Sequence, residues 1–209
     1  MKQRPILFNG DMVRALLDGR KTQTRRIVKP AKDRNGSGCQ LVACEIAGEV
    51  NGGDYSLCPY GRPGDQLWVR EAHALLPRTA YRASVGTGTI AQVEHPTDGY
   101  TAAVFREGFD RSGAPNWRPS IHMPRWASRI TLQIVSVRVE RLQEISEADA
   151  KAEGMELTGW RPTYSDPDSG GECFTPADNF AALWESINGA GSWEANPWVW
   201  VVEFKRIEQ

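Results

Sequence analysis

Two stretches of alternating sequence constrain this chain more than anything else in it. Residues 129–142 (RITLQIVSVRVERL) set Ile130, Leu132, Ile134 and Val139 among interleaved polar side chains. Trp198–Ile207 (WVWVVEFKRI) sets Trp198, Trp200, Val202 and Phe204 on one face. Successive side chains of a strand point to opposite sides, so both stretches are predicted strands. The apolar phase of the first shifts near Ser136, which predicts a bend there. Shorter strand signals stand at residues 5–8, 21–28 and 66–71. In the last of these, Leu67 and Val69 share one side, and Trp68 and Arg70 share the other.

Three helices are predicted around these strands. Asn9 is an N-cap residue with Asp11 in the first turn, Met12, Leu16 and Leu17 follow at helical spacing, and Gly19 ends the helix. Ser146 with Asp149 three residues on opens a second helix that stops at Gly154. Thr175 and Pro176 form an N-cap and N1 pair for a third, with Phe180, Leu183, Trp184 and Ile187 on its apolar face. Strands and helices do not alternate in βαβ order. The expected class is therefore α+β with a small mixed sheet or barrel. Residues 30–63, 76–120 and 156–175, rich in Gly, Pro and Asp, are expected to be insertions in a single domain spanning 1–209. The first is expected to be loop-like, and the second to hold at least one hairpin.

Composition narrows the function classes. With 40% hydrophobic and 24% charged residues the chain is neither disordered nor fibrous. No apolar run approaches the roughly 20 residues that cross a bilayer. The start, MKQRPILFNGDMVR, lacks a secretory pattern, so a cytoplasmic address is expected and no membrane partner. A net charge of −1 excludes a broad polyelectrolyte surface for nucleic acid but leaves room for a local basic site. Eight Trp residues serve either the core or stacking on bases. Cys39, Cys44 and Cys58 lack the C-x₂-C spacing of a zinc site, and only His73 offers a fourth ligand. Reduced thiols in a surface excursion, with no metal, are expected.

No Walker motif, G-x-G-x-x-G fingerprint, G-x-S-x-G elbow or H-E-x-x-H pair is present, and His73, His95 and His122 are far apart. The unusual segment is GRKTQTRR at 19–26, four cations and two hydroxyls at a predicted helix-to-strand corner. Strand alternation puts Lys21, Gln23 and Arg25 on one face and Thr22, Thr24 and Arg26 on the other. Lys21 and Thr24 meet only if the chain turns or bulges there. Such a corner is either a solvated basic turn or, given a partner carboxylate, a chemical site. Glu71 and Glu153 are the candidate carboxylates.

The stretch LLDGRKTQTRR resembles the G-x-K motif region of ASCH-domain proteins. The resemblance continues in order. GDQLWV at 64–69 is similar to that family's G-D-x-L-x-V strand, ISEADAKAEGM at 145–155 to its strand exit and short helix, and WVWVVEFKRI to its closing strand. The matched pieces cover under half of the chain, and the chain is most similar to ASCH-like proteins of phages and prophages. The resemblance implies a PUA-like (ASCH) small mixed β-barrel with flanking helices and long insertions. One bacterial group in that family hydrolyses N4-acetylcytidine to cytidine and acetate with a Lys, a Thr and a Glu, which fall here on Lys21, Thr24 and Glu153. Members without this activity often carry an acid where Thr24 stands. This chain departs from the group by its length and by Lys151.

The implied function is an amidohydrolase removing the acyl group from an N4-acylated cytosine nucleoside or related modified base, with no cofactor. The alternative is a non-catalytic PUA-like module binding RNA or modified nucleic acid. In the hydrolase, Thr24 is the nucleophile or positions water. Lys21 takes its proton once burial or the cations of Arg25 or Arg26 lower its pKa. Glu153 orients Lys21 or protonates the leaving nitrogen, and Arg26 binds the oxyanion or a substrate oxygen. Trp68 or Trp126 stacks on the pyrimidine. Arg70 and Glu71 complete the candidate substrate-binding set. The expected partner is a modified cytosine nucleoside or RNA.

Overall fold

The structure, a computed structural model, describes residues 1–32, 40–81, 86, 88–155, 157–158, 161–162 and 175–207. The elements in chain order are β1 (Gln3–Leu7), α1 (Gly10–Leu17), β2 (Gln23–Ile27), the short pair β3 (Ala31–Lys32) and β4 (Gln40–Leu41), and α2 (Ala43–Asn51). They continue with β5 (Gln66–Arg70), β6 (His73–Pro77), β7 (Gln92–Glu94), β8 (Thr101–Phe105), β9 (Thr131–Arg141) and α3 (Glu147–Ala152). The short pair β10 (Leu157–Thr158) and β11 (Arg161–Pro162), then α4 (Pro176–Asn188) and β12 (Trp198–Ile207), complete the chain. The class is α+β.

The principal sheet has the order β1-β5-β9-β12-β2. β1 runs parallel to β5, and every other pairing in the sheet is antiparallel. The expected bend in the first long strand is a bulge. Glu203 faces Ser136 and Phe204 faces Ile134, so Val135 is the extra residue on β9 and stands exposed. β12 lies inside the sheet, and Val199, Trp200, Val201 and Val202 are all buried. Both faces are covered there, so alternation describes side-chain direction but not burial.

The expected barrel does not close. Among the described strands, β1 and β2 are the free edges of an open sheet. A side chain spans the gap instead: Arg26 Nη2 donates to the Leu7 carbonyl at 2.9 Å. Among the described strands, β2 finds its ladder partner in β12 alone.

The predicted caps form. Asn9 Oδ1 accepts from Met12 N at 2.9 Å, and the hydroxyls of Ser146 and Thr175 accept from Asp149 N and Asp178 N. Gly19, at φ +75°, closes α1, with Gly19 N donating to Leu16 O and Arg20 N to Ala15 O. α3 packs on β2 and α4, and α2 packs on β9. One buried cluster joins Ile6, Leu16, Leu67, Leu132, Met155, Phe180 and Val201, among others.

The stretch 30–63 differs from the loop expected of it. α2 buries Ile46, Ala47 and Val50 in the principal core. Packing of this apolar stripe outweighs Gly48, which costs a helix interior about 0.5–1 kcal/mol. Cys58 is buried in the same core, contrary to the expected surface excursion, while Cys44 is exposed. Cys39 and Cys173 lie outside the described residues, as does most of 156–175. Across the stretch expected to be the second insertion, the three-stranded sheet β6-β8-β7 covers a small cluster of Ala103, Phe105, Met123 and Ala127. Its first strand begins at His73, ahead of the expected boundary at 76.

Candidate functional site

The corner after α1 is built by three backbone bonds. Arg20 N and Lys21 N both donate to Ala15 O, at 2.9 and 3.0 Å, and Thr22 N donates to Ala152 O at 2.8 Å. The last bond ties the start of β2 to the end of α3. Lys21 thereby points at Glu153, the residue that caps α3 just before Gly154 at φ +95°. Lys21 Nζ donates to Glu153 Oε2 at 2.6 Å and to the Glu153 carbonyl at 2.9 Å. Both residues are nearly solvent-free, Lys21 at 3% exposed and Glu153 at 2%.

Arg25, on the same face of β2, meets the other Glu153 oxygen, Nη1 to Oε1 at 3.3 Å. Its Nη2 donates to Glu140 Oε1 at 2.5 Å and lies 3.6 Å from Asp149 Oδ2. Arg138 closes the outer rim, with Nε 2.8 Å from Glu140 Oε2, Nη2 2.8 Å from Asp149 Oδ1, and a further bond to Glu203. A fully buried guanidinium is tolerated only when carboxylates surround it. Burial pushes the Lys21 ammonium below its ordinary pKa of 10.5. The neighbouring Arg26 and Arg25 push the same way, against the attraction of Glu153. Burial works against the Asp149 carboxylate, but the Ser146 hydroxyl, Arg25 and Arg138 outweigh it and bring its pKa to about 2.

A cavity of about 410 Å³ opens against this cluster, in the gap between β1 and β2. Arg25, Arg26 and Glu153 form its polar wall, and Phe8, Phe180, Leu183 and Trp184 its apolar one. Its volume falls in the range of small-molecule sites. The Arg26 guanidinium lies 5.4 Å and Lys21 Nζ 5.7 Å from the centre of the Phe8 ring.

Of the sequence candidates, the structure brings together Lys21, Glu153 and Arg26. Thr24 is 0% exposed and pairs with Val202 across the ladder, but its Oγ1 has no hydrogen-bond partner among the described residues and does not bond to Lys21 or Glu153. The corner turns as anticipated, yet it aims Lys21 at α3 and leaves Thr24 on the opposite face of β2.

The remaining candidates lie elsewhere. Glu71 is held by Arg129 through two bonds of 2.9 and 2.8 Å, and burial raises its pKa. Trp68 carries the guanidinium of Arg70 at 5.4 Å and that of Arg125 at 5.8 Å from its ring centre. Trp126 packs edge-on to His95 at 4.6 Å. None of Trp68, Arg70, Glu71 and Trp126 lines the cavity. His73 is 0% exposed, and its Nδ1 lies 3.2 Å from the Glu71 carbonyl.

The carboxylates Glu140 and Asp149 and the walls Phe180 and Trp184 escaped the sequence reading as site residues. Arg138 and Glu140 on the polar face of a long strand were the available signal for the first two. No protein-family model, curated protein or solved structure matches the chain.

Proposed function

We propose that the chain is an amidohydrolase that removes the acyl group from an N4-acylated cytosine nucleoside or related modified base, on an open variant of the PUA-like (ASCH) architecture its motifs resemble. The observation that carries this reading is the Lys21–Glu153 pair. It is an ammonium with a lowered pKa, held by a buried carboxylate at the wall of a cavity of about 410 Å³.

Amide hydrolysis needs a nucleophile, a proton shuttle and an oxyanion partner. Neutral Lys21 takes the proton of the nucleophile, which is a water in the cavity, because Thr24 stands on the opposite face of β2 and outside the cavity lining. The nucleophile adds to the acyl carbonyl and the C–N4 bond breaks. N4 leaves with a proton delivered by Lys21 or Glu153. The acyl group departs as a carboxylate. Arg26 stands at the cavity wall to receive the oxyanion, and Phe8 and Trp184 offer faces for the pyrimidine ring.

The test is cytidine release from N4-acetylcytidine, followed by liquid chromatography. The wild type is expected to turn over. Lys21→Arg is expected to be inactive, since a guanidinium stays protonated. No release by the wild type, or full activity in Lys21→Arg, refutes the proposal. RNA binding without any hydrolysis puts the non-catalytic module in its place.

A further inference from the structure

Three of the eight large apolar side chains exposed among the described residues line one feature, the cavity: Leu7 (45% exposed), Ile27 (41%) and Ile187 (52%). Scattered singly, such side chains need no explanation, but gathered at a cavity they mark a surface that a ligand covers. Leu7 and Ile27 flank the link across the gap, since Arg26 precedes Ile27 and donates to the Leu7 carbonyl at 2.9 Å. Ile187 ends a stripe on α4. Phe180, Leu183 and Trp184 line the cavity at helical spacing and are buried, and Ile187 carries the same stripe out to solvent. From Phe180 to Ile187 the stripe runs about 10 Å along the helix axis, at about 1.5 Å per residue. Two of the polar side chains in the lining are engaged within the protein. Asn9 Oδ1 accepts from Met12 N at 2.9 Å, and Asn188 Nδ2 donates to the Trp184 carbonyl at 3.0 Å.

An acylated cytosine nucleoside has three parts. The edges of the base and the hydroxyls of the ribose need hydrogen-bond partners, which an apolar stripe does not supply. The acyl chain is the part made of hydrocarbon alone. We propose that the acyl group this chain removes is a medium-length aliphatic one, of the octanoyl kind, which lies along the α4 stripe and leaves the cavity between Leu7, Ile27 and Ile187. This deepens the function proposed above and rests on it. The acyl carbonyl stands at the polar wall of Arg25, Arg26 and Glu153, and the chain runs from there to the mouth. Eight carbons joined by bonds of about 1.5 Å reach about 9 Å when extended, close to the length of the stripe. An acetyl group covers only the first part of it and leaves the rim bare. The reaction is unchanged: water cleaves the C–N4 bond, and the products are cytidine and the fatty carboxylate.

Two measurements test this. The first is steady-state hydrolysis of N4-acetyl-, N4-butanoyl-, N4-hexanoyl- and N4-octanoylcytidine. Each buried methylene is worth about fourfold in affinity, so the six that octanoyl adds, some of them at the open mouth, are expected to raise kcat/KM about a hundredfold over acetyl. The gain is expected in KM, because the chain touches no reacting atom. Ile187→Ser and Leu7→Ser, at exposed sites, are expected to lower the octanoyl-to-acetyl ratio of kcat/KM about tenfold each, and Ile187→Leu to restore it. Val135→Ser, exposed on the bulge of β9, is expected to leave the ratio unaltered. Circular dichroism confirms that each variant is folded. The second measurement is calorimetric binding of N4-octylcytidine against N4-ethylcytidine, alkylamines that carry no carbonyl to hydrolyse. The octyl compound is expected to bind about a hundredfold tighter, and Ile187→Ser to remove about tenfold of that. The inference is overturned if the octyl compound binds no tighter than the ethyl one, if kcat/KM does not rise with chain length in a wild type that hydrolyses acetylcytidine, or if both Ile187→Ser and Leu7→Ser keep the full preference. Hydrolysis of N4-acetylcytidine without any preference for chain length removes the aliphatic track and keeps the hydrolase. Preference for the octyl compound without hydrolysis of any acylcytosine removes the hydrolase, and with it the acyl-group assignment, and overturns the inference as stated.

Discussion

Replacing Arg25 with Met is expected to cost the fold several kcal/mol and to do so through Glu153. Arg25 is 2% exposed and lies among three carboxylates, 3.3 Å from Glu153, 2.5 Å from Glu140 and 3.6 Å from Asp149. At an effective dielectric of roughly 20, one unit pair about 3.3 Å apart attracts by about 5 kcal/mol. Desolvation of the guanidinium offsets much of that in the intact protein. In the variant the desolvated Glu153 stays behind with Lys21 as its one remaining partner, and breaking a buried pair in this way costs about 3–5 kcal/mol. That is a large part of the roughly 5–15 kcal/mol by which a domain is stable. Methionine fills similar volume, so the loss is electrostatic and not a cavity effect. Urea unfolding at pH 7 measures it. The double variant Arg25→Met with Glu153→Gln should recover about 1–3 kcal/mol relative to the sum of the two single changes, because the stranded charge is gone. A single-variant loss below about 1 kcal/mol, or strict additivity in the cycle, refutes the argument that Arg25 compensates Glu153.

Lys21 has its pKa lowered from 10.5 by burial, with Arg26 and Arg25 adding to it, so it is the neutral form that gains at high pH. Turnover on N4-acetylcytidine should therefore rise with pH along a limb whose midpoint lies below 10.5. Arg25→Met should move that midpoint upward by removing one repelling cation, and a pH-independent rate argues against the proton-shuttle role. Asp149 has a native pKa of about 2 against an ordinary 3.8. Its stabilising contribution is present above 3.8 and is lost as pH falls through the window down to about 2, so acid unfolding of Asp149→Asn should be less steep there than that of the wild type. Leu132→Ala, at a 0% exposed site in the principal sheet, should cost about 2–5 kcal/mol in the same urea assay. A loss under 1 kcal/mol would show that the site collapses around the smaller side chain.

Much of the local structure was legible in the chain. β12 spans the residues its alternation predicted, and the phase slip near Ser136 marks the bulge at Val135. Asn9, Gly19, Ser146 and Thr175 start or stop helices through bonds between near neighbours, which sequence carries directly. α2 was not legible, because Ile46, Ala47 and Val50 form a short stripe amid glycines and only contact with β9 makes it worth burying. The open edge between β1 and β2 was hidden for a similar reason. Closure depends on how five separate strands twist toward one another, and no one of them encodes it.

The sequence by itself determined which residues bring chemistry to the corner at 19–26, since four cations around two hydroxyls are visible in any window. It did not determine their partners. Glu153 lies more than a hundred residues away, and its meeting with Lys21 depends on one backbone bond from Thr22 to Ala152 that docks α3 on β2. The same docking turns Thr24 away from Lys21 and surrounds Arg25 with carboxylates from β9 and α3. Tertiary structure decides these pairings because a charge is expelled to water unless distant elements arrive together with its counter-charge, and that condition belongs to the packed molecule and to no segment of it.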